Sequence, residues 1–568
     1  MPNRRAPATL ASLVTLALMA SAAAAQQAAP SETPPQRTAA DINAIVTAPL
    51  PADQAAMKAH VMFLASDAMK GRDAASPEFA IAAQYVAAQF YAAGLKPAGD
   101  DGGYLQHVPL IFYKNADDGQ MSLVPAKGAA MPLVAGEDFL ASPNPAAKET
   151  AIEAPVVFVG QGIVAPELGI DDYAGVDVRG KIVVLFGGAP TRLPSEIRAH
   201  FSSIAAKAAI AGSRGAVGVI QLESTAKAGR GVPSFAALKA FGGRPRTSWA
   251  QKDGTAAPPL GAAPVLGTFS LKGAEKLFAG ARTPWAQVAA LSAKDGAKFR
   301  AEALRPRLKL LLHISFEQAD SSNIVGILPG SDPKLADEIV VLSAHLDHIG
   351  VSKNAKGDQI NNGAEDNAVG IASLIEEARR FAAAPDKPKR SIMFLAVTAE
   401  EKGLVGSDYY ARNPTVAKER IVANVDLDMP ILTYTFEDVV PFGADRSSLG
   451  KIVRDAVEPM GLKVSPDPIP EEAIFVRSDH YRFVQQGVPA VFLWPGQAGP
   501  GKAATSDFLA KHYHRPSDDI TLPIDWAQGV RFVDVNYRIA RGIADAAERP
   551  HWNKGDFFGT LYNGIGAK

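Results

Sequence analysis

The chain has 568 residues, of which 47% are hydrophobic, and its 58 Lys and Arg nearly balance 59 Asp and Glu for a formal net charge of −1. This length and apolar content suit two or more globular domains. The balanced charge provides no positive electrostatic field of the kind that binds nucleic acid. Cysteine is absent, which excludes disulfides, thiolate metal ligands, a cysteine nucleophile and a lipoprotein anchor.

The N-terminus has the pattern of a secretory signal peptide. Arg4 and Arg5 precede an apolar run at 10–19, and alanines ending at Ala25 form an A-x-A cleavage site. The run is too short to span a membrane, and no later segment has the pattern of a membrane helix. We therefore expect cleavage near Ala25 and export to the periplasm or medium, followed by a flexible, Pro-rich lead over 26–44.

Two helices are predicted after this lead. Helical periodicity covers about 54–69 and 77–93. In the second helix, Ser76 is placed to cap the first turn and Pro77 to occupy it. These helices make 45–140 the first part of the main domain.

The pattern then becomes β-rich and is punctuated by glycine between about 141 and 315. Apolar runs at 156–160 and 182–185 predict buried strands, and a helical pattern near 204–211 leads to a third run at 215–220. No cluster of metal ligands or nucleophiles occurs here. We expect an insert that serves as a lid or substrate wall, or as a passive spacer.

The α/β pattern resumes at about 316 and continues to 568. Four short apolar runs of the buried-strand type follow, at 338–344, 391–397, 420–425 and 489–494. Polar residues suited to chemistry stand directly after the first three runs and in a segment beyond the fourth. Because ligands of open α/β sheets collect at the carboxyl ends of the strands, we expect a site at that edge.

Five stretches in this half supply the donor set of a two-metal hydrolase. They are His345-Leu346-Asp347, Asp366-Asn367, Glu400-Glu401, Asp426-Leu427-Asp428 and Tyr513-His514-Arg515-Pro516. Carboxylates and imidazoles hold hydrolytic divalent ions, and two ions need about five protein ligands with one carboxylate shared. Asp366 also opens a helical pattern, so helix capping is its alternative role.

The adjacent acids Glu400 and Glu401 suggest two different roles, one in metal binding and one in proton transfer. One glutamate can bind metal while its neighbour takes a proton from the attacking water and passes it to the leaving amine. Neighbouring strand residues point to opposite faces, so both reach the site only if the chain turns. Gly403 favours such a turn.

In this order, the motifs resemble those of the co-catalytic zinc exopeptidase family, which includes aminopeptidases and glutamate carboxypeptidases. The matching segments are His345-Leu346-Asp347, Asp366-Asn367-Ala368-Val369-Gly370, Glu400-Glu401-Lys402-Gly403-Leu404-Val405-Gly406-Ser407, Asp428-Met429, Ser478-Asp479-His480 and Tyr513-His514-Arg515-Pro516-Ser517-Asp518. The insert at 141–315 resembles a protease-associated domain. The resemblance implies an α/β zinc-exopeptidase fold, a mixed sheet flanked by helices, with 45–140 and 316–568 as the two parts of the peptidase domain.

The resemblance also implies a set of metal ligands. His345 and Asp428 would hold one zinc ion, Glu401 and His514 the other, and Asp366 would bridge both. The same ligands suit manganese or cobalt.

Other roles follow from the same resemblance. Glu400 would be the general base, and Tyr513 would donate a hydrogen bond to the oxyanion. Asp347 would stand behind Glu400 or behind the ligands. Asp426 occupies a place where the family usually has an amide-type residue, which makes it a competing ligand. Three further histidines are expected to support the site or the fold: His348, His480 and His512.

The expected function is that of an exported aminopeptidase with two zinc ions, acting on peptides with a free N-terminus. Neither nucleic acid nor membrane is an expected partner, and the sequence leaves the oligomeric state open. A glutaminyl cyclase and a glutamate-type carboxypeptidase are alternatives that share the fold. A receptor-like relative without catalysis is a further alternative, against which the intact Glu400 argues.

Overall fold

The computed structural model describes residues 38–226, 232–352 and 357–568, so the predicted signal peptide lies outside the described residues. The chain divides into two units, with the boundary between Pro49 and Leu50. In the first, Ala39–Val46 forms a helix at the end of the predicted flexible lead. The helix begins there because Thr38 and Asp41 cap it reciprocally, the Thr38 hydroxyl accepting from the Asp41 amide at 3.2 Å.

The strands of the second unit follow in chain order. They are β1 Lys96–Pro97, β2 Leu105–Asn115, β3 Gln120–Val124, β4 Met131–Pro132, β5 Phe139–Ala141, β6 Glu149–Phe158, β7 Val164–Ala165, β8 Ile170–Asp171, β9 Ile182–Phe186, β10 Gly218–Leu222, β11 Arg246–Trp249, β12 Val265–Phe269, β13 Glu302–Leu328, β14 Ile339–His345, β15 Ser391–Val397, β16 Ile421–Asp426, β17 Asp438–Phe442, β18 Lys463–Val464 and β19 Ala490–Pro495.

The α-helices of this unit lie before, between and after these strands. They are Ala52–Leu64, Pro77–Ala92, Ser195–Ser202, Ile204–Ser213, Phe235–Phe241, Leu271–Leu277, Trp285–Ser292, Val369–Ala383, Val405–Arg412, Leu449–Val457, His480–Val484, Gly501–Lys511, Trp526–Asp545 and Phe557–Leu561. The predicted helix at 77–93 is confirmed, and the Ser76 hydroxyl accepts the Phe79 amide at 3.0 Å as its cap.

The main sheet has the order β11–β2–β13–β15–β14–β16–β19–β17–β18. The four strands β15, β14, β16 and β19 are mutually parallel and correspond to the four apolar runs in the sequence. Their carboxyl ends therefore meet at one edge of the sheet. The antiparallel neighbours β13 and β17 flank this parallel centre.

Helices cover both faces of this sheet. Alternate residues of β14 show the division, because Leu342 belongs to one apolar cluster and Val341 to another. The helices Ala52–Leu64, Val369–Ala383 and Trp526–Asp545 pack against one another in the first cluster. Burial on both faces explains why the parallel strands are predominantly apolar. The predicted mixed α/β sheet flanked by helices is confirmed.

A second sheet has the order β4–β3–β13–β6–β9–β10–β12–β5 and its own apolar core. One long strand, β13, belongs to both sheets. It pairs with β6 as far as His313 and with β2 from Ile314 onward. The second sheet begins at Gln120, before residue 141, where the insert was predicted to start. The division into domains stays a prediction.

The helix Ser195–Ser202 connects the insert to the catalytic part of the chain. Ile197 and Phe201 are buried in the same apolar cluster as the helices of the main sheet. Glu196 accepts the Gly443 amide at 2.6 Å, and His200 Nδ1 lies 2.6 Å from the Tyr481 hydroxyl. This part of the insert is thus packed into the main core.

Stability should fall in mild acid because of His200. Burial, with a smaller contribution from the charge of Lys207, lowers the pKa of His200 from 6.5 to about 3. Below pH 6.5 the unfolded chain takes up a proton that the folded chain refuses until about pH 3, so stability is lost across this window. At pH 5 the loss should be about 2 kcal/mol. Urea unfolding at pH 7.5 and pH 5 should show a smaller pH effect in His200→Gln, and an equal effect in both proteins would contradict the assignment.

Candidate metal centre

The predicted site residues converge at the carboxyl edge of the parallel strands. His345 is the last residue of β14, and the glutamate pair and Asp428 follow the ends of β15 and β16. Asp366 lies just before the helix Val369–Ala383, and His514 lies just after the helix Gly501–Lys511. A small cavity at this edge is lined by His345, Asp366, Glu400, Glu401, Asp428, Tyr513 and His514, together with other side chains.

The five predicted ligands form two groups that share one carboxylate. In the first group, His345 Nε2 lies 3.1 Å from Asp428 Oδ1 and 3.3 Å from Asp366 Oδ1. In the second, His514 Nε2 lies 3.2 Å from Asp366 Oδ2 and 3.0 Å from Glu401 Oε2. Asp366 thus presents one oxygen to each group.

These separations fit divalent ions. A tetrahedral ion with bonds of about 2.0–2.1 Å places neighbouring ligand atoms roughly 3.3 Å apart. The four distances match this value within a few tenths of an ångström. In addition, His345 Nδ1 lies 3.1 Å from the Asp347 carbonyl, which can only accept a hydrogen bond. In the neutral ring this contact favours the proton on Nδ1, which would leave Nε2 to bind an ion held with the two carboxylates.

The electrostatics of the cavity also favour cations. Burial and neighbouring carboxylates raise the pKa of Glu400 well above its ordinary value. Burial lowers the pKa of His514, but its hydrogen bonds with Asp366 and Glu401 outweigh burial and raise the value to about 10. Carboxyl groups are also in excess in this buried space, those of Asp366, Glu400, Glu401 and Asp428 against the imidazoles of His345 and His514, and ionised carboxylates without cationic partners are costly there. Divalent ions would compensate that excess.

His348 lies beside the second group, and its position was not foreseen beyond a supporting role. With Asp366 and Glu401 it forms another set of side chains able to hold an ion. Its Nδ1 lies 2.7 Å from Glu401 Oε1 but 3.9 Å from Asp366 Oδ2. The first distance is that of a hydrogen bond, and the second is too long for a shared tetrahedron. Among these residues His514 fits the ligand position better, and His348 orients Glu401.

Substitution of the two histidines should separate these roles. His514→Ala should lose one bound ion, whereas His348→Ala should keep the stoichiometry and weaken metal affinity by about ten- to a hundred-fold. Elemental analysis and zinc titration would measure both effects. His512→Ala, in the same loop as His514, controls for local damage. Loss of a whole ion from His348→Ala at saturating zinc would instead make His348 a ligand.

Two side chains hold the loop that carries Asp366. The Asp518 carboxylate accepts the amides of Glu365 and Asp366 at 2.9 and 3.0 Å. Asn367 Oδ1 accepts the Met429 amide at 3.1 Å, which connects this loop to the end of β16. The Asp366 oxygens face His345 and His514 rather than the first helical amides. The capping alternative therefore has no support in the geometry.

The glutamate pair stands on a tight turn. Gly403 donates its amide to the Glu400 carbonyl at 2.8 Å, and both glutamates line the same cavity. The Asp347 carboxylate accepts the amides of Glu400 and Glu401 at 3.0 and 3.3 Å. Asp347 thus positions both glutamates through the backbone.

Asp426, the competing candidate for the ligand position, makes hydrogen bonds outside the two ligand groups. Its carboxylate accepts the hydroxyls of Ser343 and Ser478 at 2.5 and 2.6 Å and the His480 amide at 3.2 Å. These contacts leave Asp428, two residues on, as the aspartate that faces the cavity. The geometry favours Asp428 over Asp426 as a ligand.

Tyr513 lines the same small cavity as the two ligand groups. Arg477 donates to its hydroxyl oxygen at 3.0 Å. Burial raises the pKa of Tyr513 well above its ordinary value, so the hydroxyl keeps its proton. Because Arg477 can only donate, the tyrosine proton remains available to another acceptor in the cavity.

A buried arginine, Arg72, lies behind the site and was not among the predicted site residues. The guanidinium of Arg72 donates to the carbonyls of Leu346, Asn362 and Gly363 at 3.0, 2.6 and 3.1 Å. These carbonyls belong to the segments after His345 and before Asp366. Burial lowers the pKa of Arg72 to about 10, which leaves it charged at neutral pH. It holds the two segments together and opposes the negative charge of the cavity.

Imidazoles and carboxylates gathered at the edge of a buried parallel sheet are typical of a metal-dependent hydrolase. Residues 323–540 match the model of Peptidase family M28. The predicted resemblance to the zinc exopeptidases is thereby confirmed.

Individual relatives match over shorter stretches. Aminopeptidase Y of Saccharomyces cerevisiae is 28% identical over 236 residues, covering 40% of this chain and 39% of the relative. A probable zinc metalloprotease of Pyricularia oryzae is 39% identical over 108 residues, covering 18% and 20%. The chain spans less than half the length of the curated relatives it matches first.

Among solved structures, an aminopeptidase from Aneurinibacillus sp. strain AM-1 aligns with 88% of this chain and 95% of its own. It is 19% identical, and the TM-score is 0.46. In the part of the chain that the structure describes, no helix combines the length and apolarity needed to cross a membrane.

Proposed function

We propose that the protein is an exported aminopeptidase that hydrolyses N-terminal residues from peptides with two zinc ions. The observation that carries this proposal is Asp366, which presents one oxygen to His345 and the other to His514. A carboxylate in this position is needed only if two ions are to be bridged. The signal-peptide pattern before Ala25 supports export.

Five residues would hold the two ions. His345 and Asp428 would bind one ion, Glu401 and His514 the other, and Asp366 both. The mixed imidazole and carboxylate set favours zinc, which the name of the Pyricularia oryzae relative also carries. Elemental analysis should find close to two ions per chain, whereas a firm value of one would favour the cyclase.

The side chains around the ions divide the chemistry. When bound, the ions would activate water and polarise the scissile carbonyl. Glu400 takes the proton of the attacking water and passes it to the leaving amine. Tyr513, whose oxygen already accepts from Arg477, donates a hydrogen bond to the oxyanion. Asp347 keeps the Glu400 backbone in place.

The cavity suits a free N-terminus. The carboxylates of Glu400 and Asp428 are able to hold an ammonium group beside the scissile carbonyl. The remaining wall is mainly apolar and is formed by Met429, Ile474, Phe492, Trp494 and Leu509. Substrates with an apolar first residue should therefore be preferred.

Mass spectrometry of peptide digests tests this proposal. We expect stepwise loss of N-terminal residues, no reaction with N-acetylated peptides and continued reaction with C-terminally amidated ones. Shortening from the C-terminal end would favour the carboxypeptidase instead. Loss of ammonia alone from an N-terminal glutamine would favour the cyclase.

A further inference from the structure

A larger cleft adjoins the small cavity that holds the site. Its volume is about 690 Å³, against about 40 Å³ for the small cavity. Glu401 lines both spaces, so they meet at a proposed metal ligand. Because the small cavity accommodates little more than the end of a peptide, the rest of a bound peptide must lie elsewhere. The cleft is the adjoining space with sufficient room.

The insert supplies one wall of this cleft, and that wall is held firmly. Strand β11 pairs antiparallel with β2 of the main sheet, Arg246 opposite Tyr113 and Trp249 opposite Leu110. Trp249 Nε1 donates to Asp408 at 2.8 Å. The Arg412 guanidinium lies 4.7 Å from the centre of the Trp249 ring.

The charges that line the cleft are mostly positive. Arg244 and Arg246 are exposed on the insert, and Lys402 and Arg482 lie on the catalytic side. Two acids are also present, but both are engaged. Asp408 accepts from Trp249 and Arg412, and Glu401 faces the histidines of the site.

All four basic residues also contact neighbouring groups. Lys402 forms an ion pair with Asp73 at 2.6 Å, and Arg482 donates to the Gly403 carbonyl at 2.9 Å. Arg246 donates to the hydroxyl of Ser142, a neutral partner, at 3.2 Å. The insert therefore contributes positive charge to the cleft.

We propose that this cleft binds the part of a peptide downstream of the cleaved bond, and that Arg244 and Arg246 select peptides bearing a carboxylate there. The carboxylate can be an acidic side chain or the C-terminus of a short peptide. This inference rests on the proposed aminopeptidase function. It gives the insert a role in substrate choice that a passive spacer lacks.

Two pairs of peptides test the proposal by comparison of kcat/KM. Leu-Ala-Glu-Ala amide against Leu-Ala-Gln-Ala amide examines an acidic side chain, and Leu-Ala-Ala against its amide examines the C-terminus. Exposed ion pairs are weak, so we expect the carboxylate-bearing member to be favoured roughly three- to tenfold in at least one pair. The pair that responds identifies the source of the carboxylate. The preference should also decrease at high salt.

Variants then assign the preference to the insert. Arg244→Ala combined with Arg246→Ala should bring the ratio close to one, and Arg244→Glu combined with Arg246→Glu should invert it. Each ratio is taken within one variant, so differences in folding or metal loading cancel. Arg179→Ala, an exposed arginine of the insert outside the cleft, should keep the wild-type ratio.

Two results would overturn the proposal while leaving the proposed function intact. One is a wild-type ratio of one or less in both pairs, and the other is a ratio that the two double variants leave unchanged. If the wild-type enzyme releases leucine from none of the four peptides, the proposed function fails and this inference fails with it.

Discussion

Glu400→Gln should lower the turnover number by roughly two to four orders of magnitude while metal content remains that of the wild type. The amide keeps the size of the glutamate and removes its basicity. Asp347 should hold the turn in both proteins, because it bonds to the Glu400 amide of the backbone. Stopped-time assays with a leucine arylamide and elemental analysis on the same preparation would measure the two quantities.

Glu401→Gln is the matched control, since it makes the same chemical change one residue away. Glu401 lies 3.0 Å from His514 Nε2, so its substitution should remove one ion instead of the base. If Glu400→Gln lost an ion and Glu401→Gln lost only turnover, the assignment of the pair would be reversed.

Asp366→Asn should abolish activity and the binding of both ions, the largest loss expected from any single ligand. Its two oxygens lie within 3.3 Å of His345 Nε2 and His514 Nε2, so both groups depend on it. An amide offers one neutral oxygen and is unable to bridge. Isothermal titration with zinc would show the loss of both binding events.

Asp426→Asn provides the comparison for this variant. Asp426 is buried, but its hydrogen bonds go to Ser343, Ser478 and the His480 amide. We expect the zinc affinity of the Asp426→Asn variant to fall by about ten- to a hundred-fold at most, because Asp426 supports neighbouring residues and does not bind the ion itself. Retention of one full-affinity ion in Asp366→Asn would exclude Asp366 as a bridge.

The site could be predicted from the sequence because short, mainly apolar strands can be recognised from their residue pattern. Buried on both faces, β14, β15 and β16 are mostly apolar and contain no histidine or charged residue before their last position, so His345, the glutamate pair and Asp428 mark their carboxyl ends. Parallel pairing then places these ends together. The first step needs only local sequence patterns, and the second follows from the parallel sheet expected of the fold class.

Other features depend on backbone geometry that sequence patterns do not record. Both glutamates face one cavity because the chain turns after β15, where Ala399 has a positive φ of 54° although it is not glycine. The choice between Asp426 and Asp428 rests on where β16 ends. The contact between His348 and Glu401 comes from a loop whose path has no periodic signal.

Contacts between segments that are far apart in the sequence could not be predicted either. Arg72 reaches three carbonyls more than 250 positions away along the chain, which no local pattern encodes. The helix Ser195–Ser202 was not predicted to pack into the main core, because its apolar residues could equally have faced the insert.

The long strand β13 makes the chain hard to divide into exchangeable modules. A graft of the insert between relatives would have to cut near Ile314, inside a strand whose hydrogen bonds continue from one sheet to the other. Removal of the insert up to that point would leave β2 without the chain connection that leads into its partner β13. Laboratory chimaeras should therefore exchange the insert together with β2 and all of β13. A force applied to the insert would be transmitted along β13 to its neighbour β15, and the glutamate pair follows the end of β15.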